Sequence, residues 1–462
     1  MTPQESGPPT PMEPPSPQTT AAPKESAPAN VKRVLFMNRP AAYTMPGGDT
    51  TVMNRLQEQL RSRGLTVDFS SDPAVDVSSY DIVHLFNLTL QQLTDAFARN
   101  AAARGVPCVV TSLQEDFPLY SNKAEATIQV FTKYLDSGQN RALFESGMGM
   151  LKNVARAPMY TAPWTVVHAD MIFPCGVTEQ RCIQTMYPGV RISPVPFGST
   201  IKNLVPDPGL FCKQFDVKDF VLFVGRVEMR KNQLMLLKAL EDDDIPVVFA
   251  DGGFTYMPPY RALCDRFKRK GRTIFTGRLT DELMLSAFAA AKVHCLPSWY
   301  ELPGLVTLEA ARYGCAVVAS SWGGIPDYLG DTCYYCQPDD HRSIRAAILT
   351  AYEKGRPAGL QQRAEQFTWE KSADITLAQY ADVIARRANS KPVSAESLAV
   401  PDLFVFVELV TKTMEQGRQR EAIAYYNRYR SMYPSLPQLA RFDELMGQVS
   451  AKVDKSQQTA KP

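Results

Sequence analysis

Ser298-Trp299-Tyr300-Glu301-Leu302-Pro303-Gly304-Leu305-Val306-Thr307-Leu308-Glu309-Ala310-Ala311 puts one carboxylate at the exit of an element and a second inside the next. Residues 292–296 ahead of it read as a buried strand ending near Pro297. The residues behind Pro303 read as a helix, with Pro303 at its first position, where a missing N–H costs nothing. Gly314 suits the C-terminal cap. Glu301 then lies just outside the helix, at the carboxyl edge of a sheet. The open amides at Gly304, Leu305 and Val306 form a ready diphosphate site, and Gly304 permits close approach. Glu309 lies about 7–9 Å along the helix, at about 1.5 Å per residue, where it can accept from paired ribose hydroxyls. Glu301 can accept from hydroxyls of a transferred sugar. On spacing alone, most such pairs are a loop charge and a helix-face charge.

Outward from this stretch, strand and helix alternate. Short apolar runs at 34–37, 67–69, 81–86 and 106–111 read as strands. Helices carry Val52, Leu56 and Leu60, then Leu93, Phe97 and Ala101. After a Pro-rich loop the alternation restarts, with strands at 220–224, 247–250, 273–275, 292–296 and 316–319. This is the α/β pattern of parallel sheets covered by helices on both faces. It predicts a Pro-rich disordered arm over 1–30, a Rossmann-like domain over 31–205 and a second Rossmann-like domain over 206–390. A linker at 391–401 leads to a tetratricopeptide-like helical hairpin over 402–452 and a disordered tail over 453–462. One such repeat cannot bury its own face, so the hairpin is expected to dock on the body or on a protein partner. Ligands of doubly wound sheets bind at the carboxyl ends of the strands, here in the cleft between two domains.

Three further constellations sit at such ends. In Phe223-Val224-Gly225-Arg226-Val227-Glu228-Met229-Arg230-Lys231-Asn232, Arg226 leaves a strand and Lys231 opens the next helix. Two cations there would neutralise a diphosphate and the charge on its leaving group; in isolation such a pair is more often a solvated turn. Pro46-Gly47-Gly48-Asp49-Thr50 joins a strand to a helix through two glycines, which suits backbone approach to phosphate. Gly277-Arg278-Leu279 follows the strand at 273–275 and reads equally as an ordinary turn.

In combination these residues resemble the family 4 glycosyltransferases, which have the GT-B fold, over about residues 31–387. The family pattern is a Pro-Ser, an acidic residue, a nearby Gly and a second Glu eight positions after the first. The resemblance implies a retaining, metal-independent hexosyltransferase acting on a nucleoside-diphosphate sugar, with 31–205 as the acceptor domain and 206–390 as the donor domain. It implies that Arg226 and Lys231 bind the pyrophosphate and that Glu301 works with them at the reaction centre. It also implies that Gly47 and Gly48 close over the donor, and that Arg278 and Leu279 back the nucleobase. Two departures stand out. Asp327 ends Gly323-Gly324-Ile325-Pro326-Asp327, where a Glu is commoner. Leu113 occupies the place of a family His, leaving Gln114, Glu115 or Asp116 as substitutes. His84 reads as structural.

Composition narrows the alternatives. The 462 residues carry 50 basic and 48 acidic side chains, a net charge of +2. That balance excludes a dedicated nucleic-acid binder. Nine scattered cysteines read as reduced core thiols, the Cys333/Cys336 pair included. Four histidines without a ligand cluster predict no metal and no cofactor. The run Arg266-Phe267-Lys268-Arg269-Lys270-Gly271-Arg272 reads as a solvated helix end rather than a lipid contact. No signal peptide or spanning stretch is evident. The expected location is cytoplasmic, with peripheral membrane contact kept open. The expected partners are the sugar donor and a glycan, lipid or protein acceptor. Two other readings remain: a GT-B epimerase or hydrolase of nucleotide sugars, and a noncatalytic nucleotide-sugar-binding scaffold.

Overall fold

A computed structural model describes residues 31–157, 164–199, 205–253, 255–387, 410–432 and 440–458. The arm at 1–30 and the linker at 391–401 lie outside these residues. Buried β-branched and aromatic side chains form β1 (Arg33–Met37), β2 (Thr66–Ser70), β3 (Ile82–Phe86), β4 (Cys108–Thr111) and β5 (Met171–Phe173). They make a parallel sheet in the order β2-β1-β3-β4-β5. A second parallel sheet contains β6 (Val221–Val224), β7 (Val247–Ala250), β8 (Thr273–Phe275), β9 (Val293–Leu296), β10 (Ala316–Ser320) and β11 (Tyr334–Cys336). Its order is β11-β10-β9-β6-β7-β8. The three-residue strands β5 and β11 were not among those expected. The two Rossmann-like sheets make the GT-B arrangement.

Each sheet has one switch in strand order, between β1 and β3 and between β6 and β9. A crevice opens where crossovers leave toward opposite faces. Val221 pairs with Val293 and Leu222 with His294. That register brings the exits of β6 and β9 together, and with them Arg226 and Glu301.

Packing does not follow chain order. The helices Phe117–Asp136 and Arg141–Leu151 belong by sequence to the first half. Yet Phe131, Tyr134 and Phe144 sit in the core of the second sheet. Polar contacts accompany them: Lys123 Nζ meets Asp339 at 3.0 Å, Gln139 Nε2 donates to the Lys268 carbonyl at 2.9 Å, and Arg141 pairs with Asp242. Conversely, the helix Trp369–Arg387, expected with the second domain, lies against the first. Leu377, Tyr380 and Val383 bury there, and Arg63 pairs with Asp374 at 2.6 Å. Where the chain crosses between domains, Gly198 passes so close to the return segment that a Cβ would come within 2.1 Å of the Trp369 nitrogen.

The basic run lies at the end of the helix Pro258–Arg266, with Arg266, Lys268, Lys270 and Arg272 exposed as expected of a solvated helix end, while Arg269 turns inward as a brace. Arg269 donates to the carbonyls of Leu240, Asp243, Ile245 and Arg272, and Arg266 pairs with Asp136 at 2.6 Å. Helices Gln419–Met432 and Ala440–Gln458 pack together around Ala422, Tyr426 and Met446. They dock on the first domain: Tyr425 shares a 2.8 Å hydrogen bond with Ser71, and Arg418 donates to the Pro40 carbonyl at 3.1 Å. The last helix continues to Gln458, through the tail expected from 453. The reason is a run without Gly or Pro after Gly447.

Candidate functional site: a cationic cleft at the strand switch

β6 is followed by Gly225, which takes a φ of +150°. Arg226 follows it. Met229–Lys231 forms one 3-10 turn, and Asn232 adopts a left-handed φ of +64° before the helix Gln233–Ala239. Lys231 therefore ends a turn instead of opening a helix. Asn232, buried, donates to the carbonyls of Pro297 and Pro338 at 2.9 and 2.8 Å. It thereby ties the exit of β6 to that of β9.

Beyond β9, Glu301 is 6% exposed. Its backbone is held by the turn after β10, where its carbonyl accepts the Gly324 amide at 2.7 Å. A Cβ on Gly323 (φ +101°) would come within 2.0 Å of that carbonyl oxygen. The side chain meets Lys231 Nζ at 2.6 Å and Arg230 Nη1 at 3.4 Å, both at Oε1. Burial works to raise the pKa of Glu301, but the neighbouring Lys231 and Arg230 charges prevail and hold it below the ordinary carboxylate value. Arg230 is shared further, with Glu228 at 3.2 Å, the Tyr300 carbonyl at 3.0 Å and Glu115 of the first domain at 3.5 Å. Arg226, a third exposed, pairs with Glu228 at 3.4 Å.

Gly304 takes a left-handed φ of +58° and caps the helix Leu305–Arg312. The helix thus starts two residues after Pro303, not at it. The left-handed φ of Gly304 lies outside the helical region and breaks the chain there, and a Cβ at this position would lie 3.0 Å from Ile325. The Thr307 amide is taken by the Gly304 carbonyl at 2.7 Å. The amides of Leu305 and Val306 open the helix. Glu309 is half-buried along it.

From the first domain, Gly47 caps the helix Gly48–Arg61. A Cβ there would lie 3.5 Å from Arg39 Nη2 and 3.9 Å from Arg226 Nη1. The glycine loop therefore faces the donor-side arginine across the cleft. Arg39 is oriented by Asp49, with contacts of 2.8 and 3.1 Å. Arg39 leaves β1 much as Arg226 leaves β6, and sequence reading that weighed strand exits alone would have found it. Arg278 and Leu279 stand apart, at the end of the edge strand β8, two strands from β6. Arg278 is exposed, and Leu279 leans on the second core.

The segment expected to carry a histidine is unusual. Leu113 is buried with a left-handed φ of +46°, a costly conformation for a branched side chain. The buried carboxylate of Glu179 holds the turn, accepting from Ser112 Oγ, the Gln114 amide and the Cys175 amide, each at 2.6 Å. Of the three candidate substitutes, only Glu115 reaches the cationic cluster; Asp116 caps the helix Phe117–Asp136. His84 lies within the first domain, bridged to the hydroxyls of Tyr380 and Thr111 at 2.6 and 2.7 Å.

Residues 213–368 match the family described as "Glycosyl transferases group 1". The O-antigen chain mannosyltransferase B of Escherichia coli is 31% identical over 175 residues, covering 35% of this chain and 45% of that protein. The alpha-maltose-1-phosphate synthase of Mycobacterium tuberculosis is 28% identical over 223 residues, covering 44% of this chain and 55% of that protein. The chain thus spans about half the length of these curated relatives. Among solved structures, the Anabaena HepE protein in complex with UDP and glucose superposes with a TM-score of 0.54 at 14% identity. The match covers 76% of this chain and 99% of that one, a likeness of fold. Among the described residues, no helix is long and apolar enough to cross a membrane.

Proposed function

We propose that this chain, whose residues 213–368 form a domain of the glycosyl transferases group 1 family, moves a hexose-type sugar from a nucleoside-diphosphate sugar to an acceptor with retention of configuration. The observation that carries this reading is the buried Lys231–Glu301 contact of 2.6 Å at the β6/β9 switch. A cation for phosphate and an acceptor for sugar hydroxyls stand side by side there. A relative named as a mannosyltransferase and a fold neighbour holding UDP and glucose support the same substrate class.

In this reading the diphosphate lies between Arg226, Lys231 and the amides of Leu305 and Val306, with the Gly47–Gly48 loop closing from the first domain. Glu309 accepts from the ribose, and Glu301 from the sugar. Arg278 and Leu279 back the base. The acceptor oxygen attacks the anomeric carbon on the face from which the phosphate departs. A C–O bond to the acceptor forms, the C–O bond to phosphate breaks, and the acceptor proton passes to the departing phosphate oxygen. Fixed cations stabilise the charge that develops there. On this reading a metal ion and a cofactor are not needed, and the protein works without membrane insertion.

The test is calorimetry of the full chain against UDP-, GDP- and ADP-sugars, followed by product analysis with candidate acceptors. Binding by wild type, weakened in Glu309→Ala by about tenfold or more, is expected from loss of charged hydrogen bonds to the ribose. No binding to any nucleotide sugar would sink the reading and leave a scaffold. Donor turnover without an acceptor would identify an epimerase or hydrolase.

A further inference from the structure

Three cations and three carboxylates meet at the β6/β9 exits. Arg226, Arg230 and Lys231 come from one turn. Glu228 and Glu301 belong to the same domain, but Glu115 arrives from the other. Two anions from the home domain leave the cluster one positive charge in excess, and Glu115 supplies the balance.

Its delivery is built rather than incidental. Glu179 anchors the turn before it through three donors, and Leu113 is held left-handed to point the chain into the cleft. Tyr120 then fixes the carboxylate, donating to Oε2 at 2.5 Å and leaving Oε1 toward Arg230 at 3.5 Å. Tyr120 in turn stacks on Tyr300, centroids 6.0 Å apart, one residue from Glu301. Glu115 Oε1 and Glu301 Oε1 thus compete for one nitrogen of Arg230, Nη1, at 3.5 and 3.4 Å, while Nη2 turns to Glu228.

We propose that Glu115 is a positioning residue of the donor site: by sharing Arg230 Nη1 it keeps the Arg230–Glu301 contact long, at 3.4 Å, so that Glu301 can exchange it for sugar hydroxyls, and it does so only when the first domain is seated on the second. This rests on the function proposed above. Without the Glu115 charge, Arg230 closes on Glu301 and the site gains one net positive charge. Anion binding then strengthens while sugar handling fails. A residue needed only for folding would weaken both together.

The experiment compares wild type, Glu115→Gln and Glu115→Asp. Inorganic pyrophosphate is the binding probe, and steady-state kinetics use whichever nucleotide sugar the wild type accepts. For Glu115→Gln, pyrophosphate affinity is expected to rise about threefold to tenfold, as removal of one nearby negative charge predicts. Its kcat should fall about tenfold or more. Glu115→Asp should recover part of kcat. Wild-type kcat in Glu115→Gln, or parallel loss of kcat and pyrophosphate affinity, overturns the proposal. Should no nucleotide sugar be turned over, the function reading fails by itself. Pyrophosphate affinity still decides the charge balance, and an unchanged or weaker value in Glu115→Gln overturns it.

Discussion

Thr178 donates its amide to Asp327 Oδ2 at 2.7 Å and its hydroxyl to Oδ1 at 3.0 Å, from the first domain to the second. Thr178 lies in the first turn of the helix Val177–Met186, so Asp327 satisfies an amide that the helix itself cannot. Gly176 caps that helix, and a Cβ on it would lie 2.6 Å from Asp327 Oδ2. The contact is therefore a close fit of a short acid against a glycine, which accounts for Asp rather than the longer Glu at this place.

Asp327→Ala should cost about 1–2 kcal/mol, the usual worth of a side chain capping a helix amide. Gly176→Ala should cost at least as much, through overlap with the carboxylate. Chemical denaturation measures both. If Asp327→Ala leaves stability unchanged, the interdomain cap contributes nothing.

Two buried histidines should make the fold acid-sensitive. His84 is enclosed beneath Tyr380 and Thr111, and His294 lies below the donor site with Thr307 at 3.4 Å. Burial lowers the pKa of each to about 3. Both values lie below the unfolded one, near 6.5. The stabilisation is present above about pH 6.5 and is lost as pH falls toward about 3. Each contributes a slope of about 1.4 kcal/mol per pH unit in that window. His84→Gln should flatten the dependence by about that amount between pH 6 and 5. An unchanged slope would show that His84 does not titrate in unfolding.

The parallel sheets were legible because buried strands such as Val247–Ala250 are short, apolar and bounded by turns. The placement of the candidate site at the strand exits was legible where one segment carried it, from Glu301 to Glu309, and where a strand exit positioned Arg226. What could not be read was tertiary. Nothing local says that Phe131 and Tyr134 pack in the other domain, or that Tyr380 returns to cover His84. Leu113 gave no sign of its left-handed turn, since the cause is Glu179, far along the chain. Arg230 received no role from the sequence; the three carboxylates around it show it to be a strut.

Glu179 offers a sharper stability test. Glu179→Ala leaves the Ser112 hydroxyl and the Gln114 and Cys175 amides without their buried acceptor. Unpaired buried donors cost about 1–3 kcal/mol each before relaxation, so a loss of about 3 kcal/mol or more is expected. The loop at 112–116 should also exchange its amide hydrogens faster. Wild-type protection of the Gln114 amide in the variant would mean that the carboxylate is not what holds the turn.

Arg226 and Lys231 bear the same charge but should fail differently. Arg226 is a third exposed, and its carboxylate partner Glu228 retains Arg230 when it is lost. Arg226→Ala should therefore weaken nucleoside-diphosphate binding by about tenfold to a hundredfold, the worth of one charge-assisted contact. Its stability should change little, because a partly exposed pair is worth little. Lys231 is nearly buried against a nearly buried Glu301, at 13% and 8% side-chain exposure. Lys231→Ala leaves that carboxylate to Arg230 alone, a loss of about 3 kcal/mol of stability on top of the lost affinity. Glu301→Gln/Lys231→Met removes both charges and should recover most of that stability while remaining inactive. If Arg226→Ala proves the less stable of the two single variants, the assignment of a structural as well as a ligand role to Lys231, and of a ligand role alone to Arg226, is wrong.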